Sequence, residues 1–363
     1  MTKINFDHIN SCPIDSDIID ESAKIMHEYF SNPNDFHEKG RAAKAKIAKS
    51  RNFFAESLNV QVNELYFLND AISQTKLLID YSILIIGINH IFTSVFEDQS
   101  VLNYLKVLEQ NNKIRLSFVP ENTIGEINLN KLKELFNNSG ATLLSLSHAN
   151  EHNGLLLPVK DIQQLCRNSK VLFHLNLKST IGKYNIDIHK IKPDFASFDF
   201  ISQYGPKNIG VFFLNQSVNI TDGSFHSLKN TLKNSEKIDI SSITSMSRAF
   251  FNSINSIQKN QKQIKSIKEH FISEFIDNFN LNHLLSLYHK EGLYSVLCYF
   301  FPQKQFGNYI AEKLDINGIA VGKINYPKKN QTEKGEYIRF SFSKHNTIKE
   351  IDFMIDILKK MKK

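Results

Sequence analysis

Through the first two thirds of the chain, short apolar runs alternate with amphipathic stretches, a pattern that predicts a mostly parallel sheet with crossover helices. Strands are predicted at 64–68, 90–96, 113–118, 141–147, 171–177, 195–200 and 209–214, with helical spacing between them, as at 130–137 and 159–166. A sheet of this kind presents its loops, and any ligand, at the carboxyl ends of its strands. The pattern changes after about residue 240. Ile254, Ile257, Ile264, Ile267, Phe271, Phe275 and Ile276 recur at helical spacing on an otherwise polar segment, so 245–279 reads as one long helix bridging two lobes. Beyond it, strands at 294–301, 319–321 and 337–343 and helices near 305–314 and 347–361 predict a small α+β lobe. The expected division is a large lobe over 14–245 and a small one built from 1–13 and 246–363.

At 363 residues the chain buries a substantial core without cross-links. Cys12, Cys166 and Cys298 are an odd number with no metal-ligand spacing, so neither a disulfide framework nor a zinc site is expected, and a reducing, cytoplasmic compartment fits best. The first residues carry no apolar run behind a basic start, which agrees with that expectation. The most apolar stretch, 77–86, is about half the roughly 20 residues of a membrane span and contains Asp80; it reads as a buried helix. The net charge of +7 comes from 44 basic and 37 acidic residues that are interspersed, and the basic run at 359–363 reads as a solvated helix end. Neither nucleic acid nor membrane is an expected partner.

Six segments, in order, resemble cysteine desulfurases. Ile4-Asn5-Phe6-Asp7 through Pro13 resembles the opening strand and DNAATTP turn of that family, and Ser31-Asn32-Pro33 with His37, Gly40 and Arg51 resembles its GNPSS helix entry. SLSHANEHNG (145–154) resembles the family's S-x-x-H-A-N-N-E-x-G turn, and Phe173 to Ser179 resembles FHVDAAQ. DFASFDFISQYGPKNIG (194–210) resembles the segment carrying His-Lys and G-P-K, and Tyr337 to Ser341 with Asn346, Thr347 and Glu350-Ile351-Asp352 resembles the C-terminal IRxS signature. The resemblance implies an α/β, fold type I aminotransferase-like architecture: a large domain with helices on both faces of its sheet, and a small α+β C-terminal domain.

The departures from that family concern chemistry. A pyridoxal phosphate (PLP) enzyme needs a lysine for the internal aldimine, a carboxylate on the pyridinium nitrogen and a backbone cradle for the phosphate. On this resemblance the family's His-Lys pair falls on Ile201 and Ser202, its pyridine aspartate on Asn176, and the glutamine at the phenolic oxygen on Ser179. The phosphate turn falls on 68–73, with Asn69, Asp70 and Ala71 at its centre, and Asp70 sets a negative charge in a site meant for anions. The sulfur-carrying loop falls on Gly322 to Tyr326, with Pro327 at the nucleophile. No aldimine is expected, hence no PLP cofactor held in that way.

His148 falls where the resemblance implies a histidine stacked on the pyridine ring, and Arg339, with Asn150 nearby, where it implies binding of a substrate carboxylate. The alternative reading of both is as hydrogen-bonded structural residues. Cys12, with His8 four residues earlier, is a candidate nucleophile or a plain turn residue. Lys178 and Lys207 are the nearest substitutes for the lost anchor, and nothing fixes a ligand geometry for His148 and His152 with Asp7 or His8, so no metal is expected. Two functions stand open: a homodimeric pseudoenzyme that binds or regulates a protein partner, and a PLP-independent enzyme acting on a small carboxylate or amino acid in the old cleft.

Overall fold

The computed structural model describes residues 4–122, 125–137, 140–237, 239–279, 292–325 and 334–362. Eleven strands run along them: β1 Ile4–Phe6, β2 Leu65–Leu68, β3 His90–Thr93, β4 Arg115–Phe118, β5 Thr142–Ser147, β6 Leu172–Asn176, β7 Phe195–Asp199, β8 Gly210–Leu214, β9 Val296–Pro302, β10 Ile319–Ile324 and β11 Gly335–Ser341. The larger sheet has seven strands in the order β2-β8-β7-β6-β5-β3-β4. Neighbours from β4 to β7 pair in parallel, while β8 runs antiparallel to both β7 and β2. Period-two alternation shows which face each side chain serves: in β2, Leu65 and Phe67 join one apolar layer and Tyr66 and Leu68 the other. Helices therefore cover both faces.

Every strand predicted in the first two thirds is present, trimmed at its ends. The largest loss follows Thr93, where the Glu121 carboxylate accepts from Ser94 Oγ (2.6 Å) and the Val95 amide (3.2 Å) and turns the backbone out of the sheet. The stretch expected as a buried helix at 77–86 is different. The helix Ala71–Tyr81 passes into a wider turn at Ser82–Ile86, ended by Gly87 at φ +82°. Leu78, Ile79 and Ser82 are buried, but Leu84 is 80% exposed. No helix among the described residues is long and apolar enough to cross a membrane.

The bridging helix, Ile240–Asn278, starts five residues before the predicted 245, where Asp239 caps it by accepting from the Ser241 amide (3.1 Å) and from the Ser241 and Ser242 hydroxyls. Its 39 residues, roughly 58 Å at 1.5 Å per residue, place Met246, Ala249 and Phe250 in the large core and Ile264, Ile267, Phe271 and Phe275 in the small one. The smaller sheet has the order β1-β10-β11-β9, and β1, from the start of the chain, lies parallel to β10 with Ile4 opposite Ile319. The single helix predicted at 305–314 is instead two, Gln303–Phe306 and Ile310–Ile316, broken at Gly307 (φ +75°). Glu336 holds the break by accepting from the amides of Tyr309 (2.8 Å) and Ile310 (3.0 Å).

Gly210 fixes the start of the helix Ala71–Tyr81 against the sheet. A Cβ there would meet Phe198 O at 2.4 Å, Gln74 Nε2 at 2.6 Å and Asn69 O at 2.9 Å, so the close approach of β8 to the turn before that helix depends on glycine. Gly223, inside the helix Asp222–Asn234, has nothing within 4 Å. Gly210→Ala is expected to destabilise by about 1–3 kcal/mol through overpacking, whereas Gly223→Ala should be neutral or stabilise by up to about 1 kcal/mol. Urea unfolding of the two variants checks this, and equal midpoints would refute it.

Candidate functional site

The carboxyl ends of β5, β6 and β7, the start of the helix Ala71–Tyr81, the segment after β1 and the strand β11 converge on one junction between the lobes. β7 ends at Asp199. Its Oδ2 accepts from the Ala71 amide (3.0 Å) and its Oδ1 from the Ile201 amide (3.2 Å). Asp70 caps the same helix, accepting from the Ser73 amide (3.1 Å) and hydroxyl (2.8 Å). Two carboxylates thus stand at a helix N-terminus, where backbone amides and the helix dipole favour negative charge. Burial raises the Asp199 carboxyl, opposed by Lys178 and these amide bonds.

β6 ends at Asn176, whose Oδ1 accepts from the Lys178 amide (3.0 Å). Inside the sheet, His174 bonds Ser145 on one side (2.8 Å) and Ser197 on the other (2.9 Å), and burial pushes its ring down to about 3. Lys178 is buried with its Nζ 3.6 Å from Glu151 Oε2. Burial alone would lower its amine, but Glu151, Asp199 and Asp98 outweigh burial and raise it; reciprocally, burial would raise Glu151, but Lys178, Arg339 and Lys183 bring it below its usual range. The pair is charged.

Arg339, opposite Gly322 on β10, is buried and directs Nη2 to Asp7 Oδ1 (2.7 Å) and Nη1 to the Glu151 carbonyl (3.4 Å). A Cβ on Gly322 would lie 3.0 Å from the guanidinium, so the glycine makes room for it. The carboxylate on Arg339 is therefore the chain's own Asp7. Of the other candidates, His148 Nδ1 is 2.9 Å from Thr180 Oγ1 and burial lowers its ring to about 4. Asn150 closes a turn, its Oδ1 accepting from the His152 amide (2.8 Å). Cys12 donates to the His8 carbonyl (2.9 Å), with His8 Nδ1 at 3.6 Å. Burial, the chief cause in both, pushes the thiol up to about 12 and the imidazole down to about 4, so the pair is a neutral thiol beside a neutral ring. His8 Nε2 is 3.0 Å from Ser343 Oγ.

Ser202 and Ser179 are buried, Lys207 is exposed, and Tyr326 and Pro327 lie outside the described residues. Among the described residues no three acidic, histidine or cysteine side chains group so as to hold a metal ion. Three residues that the sequence reading passed over belong to this junction. Asp199 lies inside a predicted strand and gives no local signal. Glu97, accepting from Ser147 Oγ (3.0 Å) and the Asp98 amide (3.0 Å), is pushed up to about 7 by burial. Lys183 reaches Ser202 Oγ with its Nζ at 3.3 Å. The signal for it was the turn Thr180 to Lys183, which follows a strand end.

Comparison with known proteins gives this geometry its relatives. Cysteine desulfurase IscS of Dictyoglomus turgidum is 20% identical over 378 aligned residues, covering 99% of this chain and 94% of that protein. Cysteine desulfurase IscS 1 of Archaeoglobus fulgidus is 27% identical over 217 residues, 59% of this chain, and that match spans only 56% of the relative's own length. Among solved structures, a NifS-like protein superposes with a TM-score of 0.87 at 22% identity, covering 99% of both chains, and a NifS-like protein from Rickettsia africae with 0.81 at 21% identity, again covering 99% of both. These structural likenesses show the fold, α/β with a mostly parallel central sheet. The profile described as Aminotransferase class-V matches residues 4–354, and the chain belongs to that family.

Proposed function

We propose that this class V, cysteine desulfurase-like chain has given up PLP-aldimine and persulfide chemistry and acts as a homodimeric binding or regulatory protein. The family is normally PLP-dependent, and the observation that carries the proposal is Asp199. Its carboxylate accepts from the Ala71 amide at the helix N-terminus where the family resemblance puts the phosphate turn. With Asp70 capping the next turn, a phosphate dianion there would meet two carboxylates instead of free amides. The other positions agree. Ser202 offers a hydroxyl where an amine is needed, and Asn176 spends its side-chain oxygen on the Lys178 amide. The donor set does not fit PLP. Pairing of Arg339 with Asp7 likewise supports a cleft that does not take a substrate carboxylate.

Purified protein incubated with PLP is expected to show no absorbance band at the visible edge, and borohydride should trap no pyridoxyl-lysine. A pyridoxyl adduct on any lysine, or sulfide released from cysteine above a boiled control, would overturn the proposal. Sedimentation at micromolar concentration is expected to give twice the 41.8 kDa chain mass; a species at the single-chain mass alone would remove the homodimer. Arg339→Ala leaves Asp7 unpaired at the junction and is expected to destabilise by about 3–5 kcal/mol. Cysteine and alanine, for their part, should leave the wild-type melting temperature unchanged; a rise with either amino acid would return Arg339 to a ligand-binding role.

A further inference from the structure

Two lysines meet at the lobe junction, and only one is answered by a carboxylate. Lys178 pairs with Glu151 at 3.6 Å. Lys183 has no carboxylate oxygen within 4.0 Å among the described residues, and its Nζ donates to Ser202 Oγ at 3.3 Å. It sits on a turn drawn close to the bridging helix by Gly182 (φ +69°), whose Cβ would lie 2.9 Å from that of Ser253. The side chain is only partly buried and forms the wall of a cavity of about 30 Å³ with His8, Ser202, Tyr204, Tyr294 and Ser341. A water-sized group fills about 10–15 Å³ counted this way, so the space takes two or three such groups. We propose that Lys183 is a carbonyl-reactive amine that holds a small aldehyde or ketone in this cavity as a reversible imine.

Burial, the chief cause, lowers the Lys183 amine to about 8; Glu151 pulls it up, and Lys178 and Arg339 push it down. His8, on the facing segment, is neutral and adds no charge at pH 7. About one such amine in ten is then uncharged at pH 7, against roughly one in 2,500 for an exposed lysine. The uncharged nitrogen adds to the carbonyl carbon, the carbonyl electron pair moves to oxygen and takes a proton, and the carbinolamine loses hydroxide with a second proton. One carbon–nitrogen double bond forms and one water leaves, with no change of oxidation state. Ser202 Oγ, itself donating to the Lys178 carbonyl (3.4 Å), accepts from the amine and holds it at the cavity wall.

The proposal goes beyond the loss of PLP chemistry, and one experiment separates the two. The full chain is treated with limiting acetaldehyde and cyanoborohydride at pH 7, and ethylated lysines are mapped by peptide mass. Lys183 is expected to be labelled at least 10-fold faster than exposed Lys207 or ion-paired Lys178, with a rate that rises towards a midpoint near pH 8. Lys183→Arg should lose that label alone and keep the far-ultraviolet dichroism; should the variant not fold, the wild-type map decides by itself. Labelling of Lys183 no faster than Lys207 would overturn the inference. PLP in place of acetaldehyde distinguishes the readings: a pyridoxyl group on Lys183 sinks the proposed loss of PLP chemistry while upholding the reactive amine. Failure of acetaldehyde together with no PLP adduct sinks the amine alone.

Discussion

A charge moved out of water must be answered, and at the junction of the two lobes this chain answers, among the described residues, all of its own but Lys183. Arg339 faces Asp7, Lys178 faces Glu151, and the amide end of the helix Ala71–Tyr81 faces Asp199 and Asp70. A guanidinium or ammonium left unpaired in such a place is strongly destabilising. Each pair lies within one lobe, and the bond from Arg339 Nη1 to the Glu151 carbonyl (3.4 Å) joins the two. Positions that could have recruited an anionic ligand instead recruit side chains encoded in the same polypeptide. The charges of the cleft are thereby spent on contacts within the chain.

The histidine at the centre of the sheet follows the same logic in neutral form. His174 stands between Ser145 and Ser197 on the flanking strands, and burial keeps its ring uncharged. Both ring nitrogens are satisfied by hydroxyls that sit on neighbouring parallel strands, so the polar group ties β5, β6 and β7 together without a charge to compensate.

The fold was largely legible because periodicity records burial directly. Strand runs such as Val211 to Leu214 are apolar at every position since both faces of that sheet are covered, and the bridging helix declares itself through Ile264, Ile267 and Phe271. Boundaries were less legible, because they are set by single capping side chains: Asp239 for the bridging helix, Glu336 for the break at Gly307, Glu121 for the end of β3. In the site, a resemblance names the positions where a group is missing, as at Ser202 and Asn176, but not where its substitute stands. Asp7 lies 332 residues from Arg339, and Lys183 lies 19 from Ser202, so no local pattern joins either pair. Cys12 and His8 stood open between an activated thiol and a plain turn residue, and their surroundings agree with the turn residue. Burial leaves both neutral.

The place of β1 carries a consequence for how the molecule is made. This strand and Asp7 are the first described part of the chain, yet β1's sheet partner is β10 and Asp7's counter-ion is on β11. During synthesis at about 5–20 residues per second, the interval between residue 7 and residue 319 is roughly a quarter of a minute to a minute. Within it the large lobe, contiguous from the helix Ser16–Glu28 to the first turns of the bridging helix, can close around its own core. The leading strand, with apolar Ile4 and Phe6, has nothing to pair with until the end of the chain emerges. A molecule in synthesis therefore carries an unpaired sticky edge until β10 is made, and a chaperone that shields residues 4–7 would cover one of the most sequence-distant contacts of the fold.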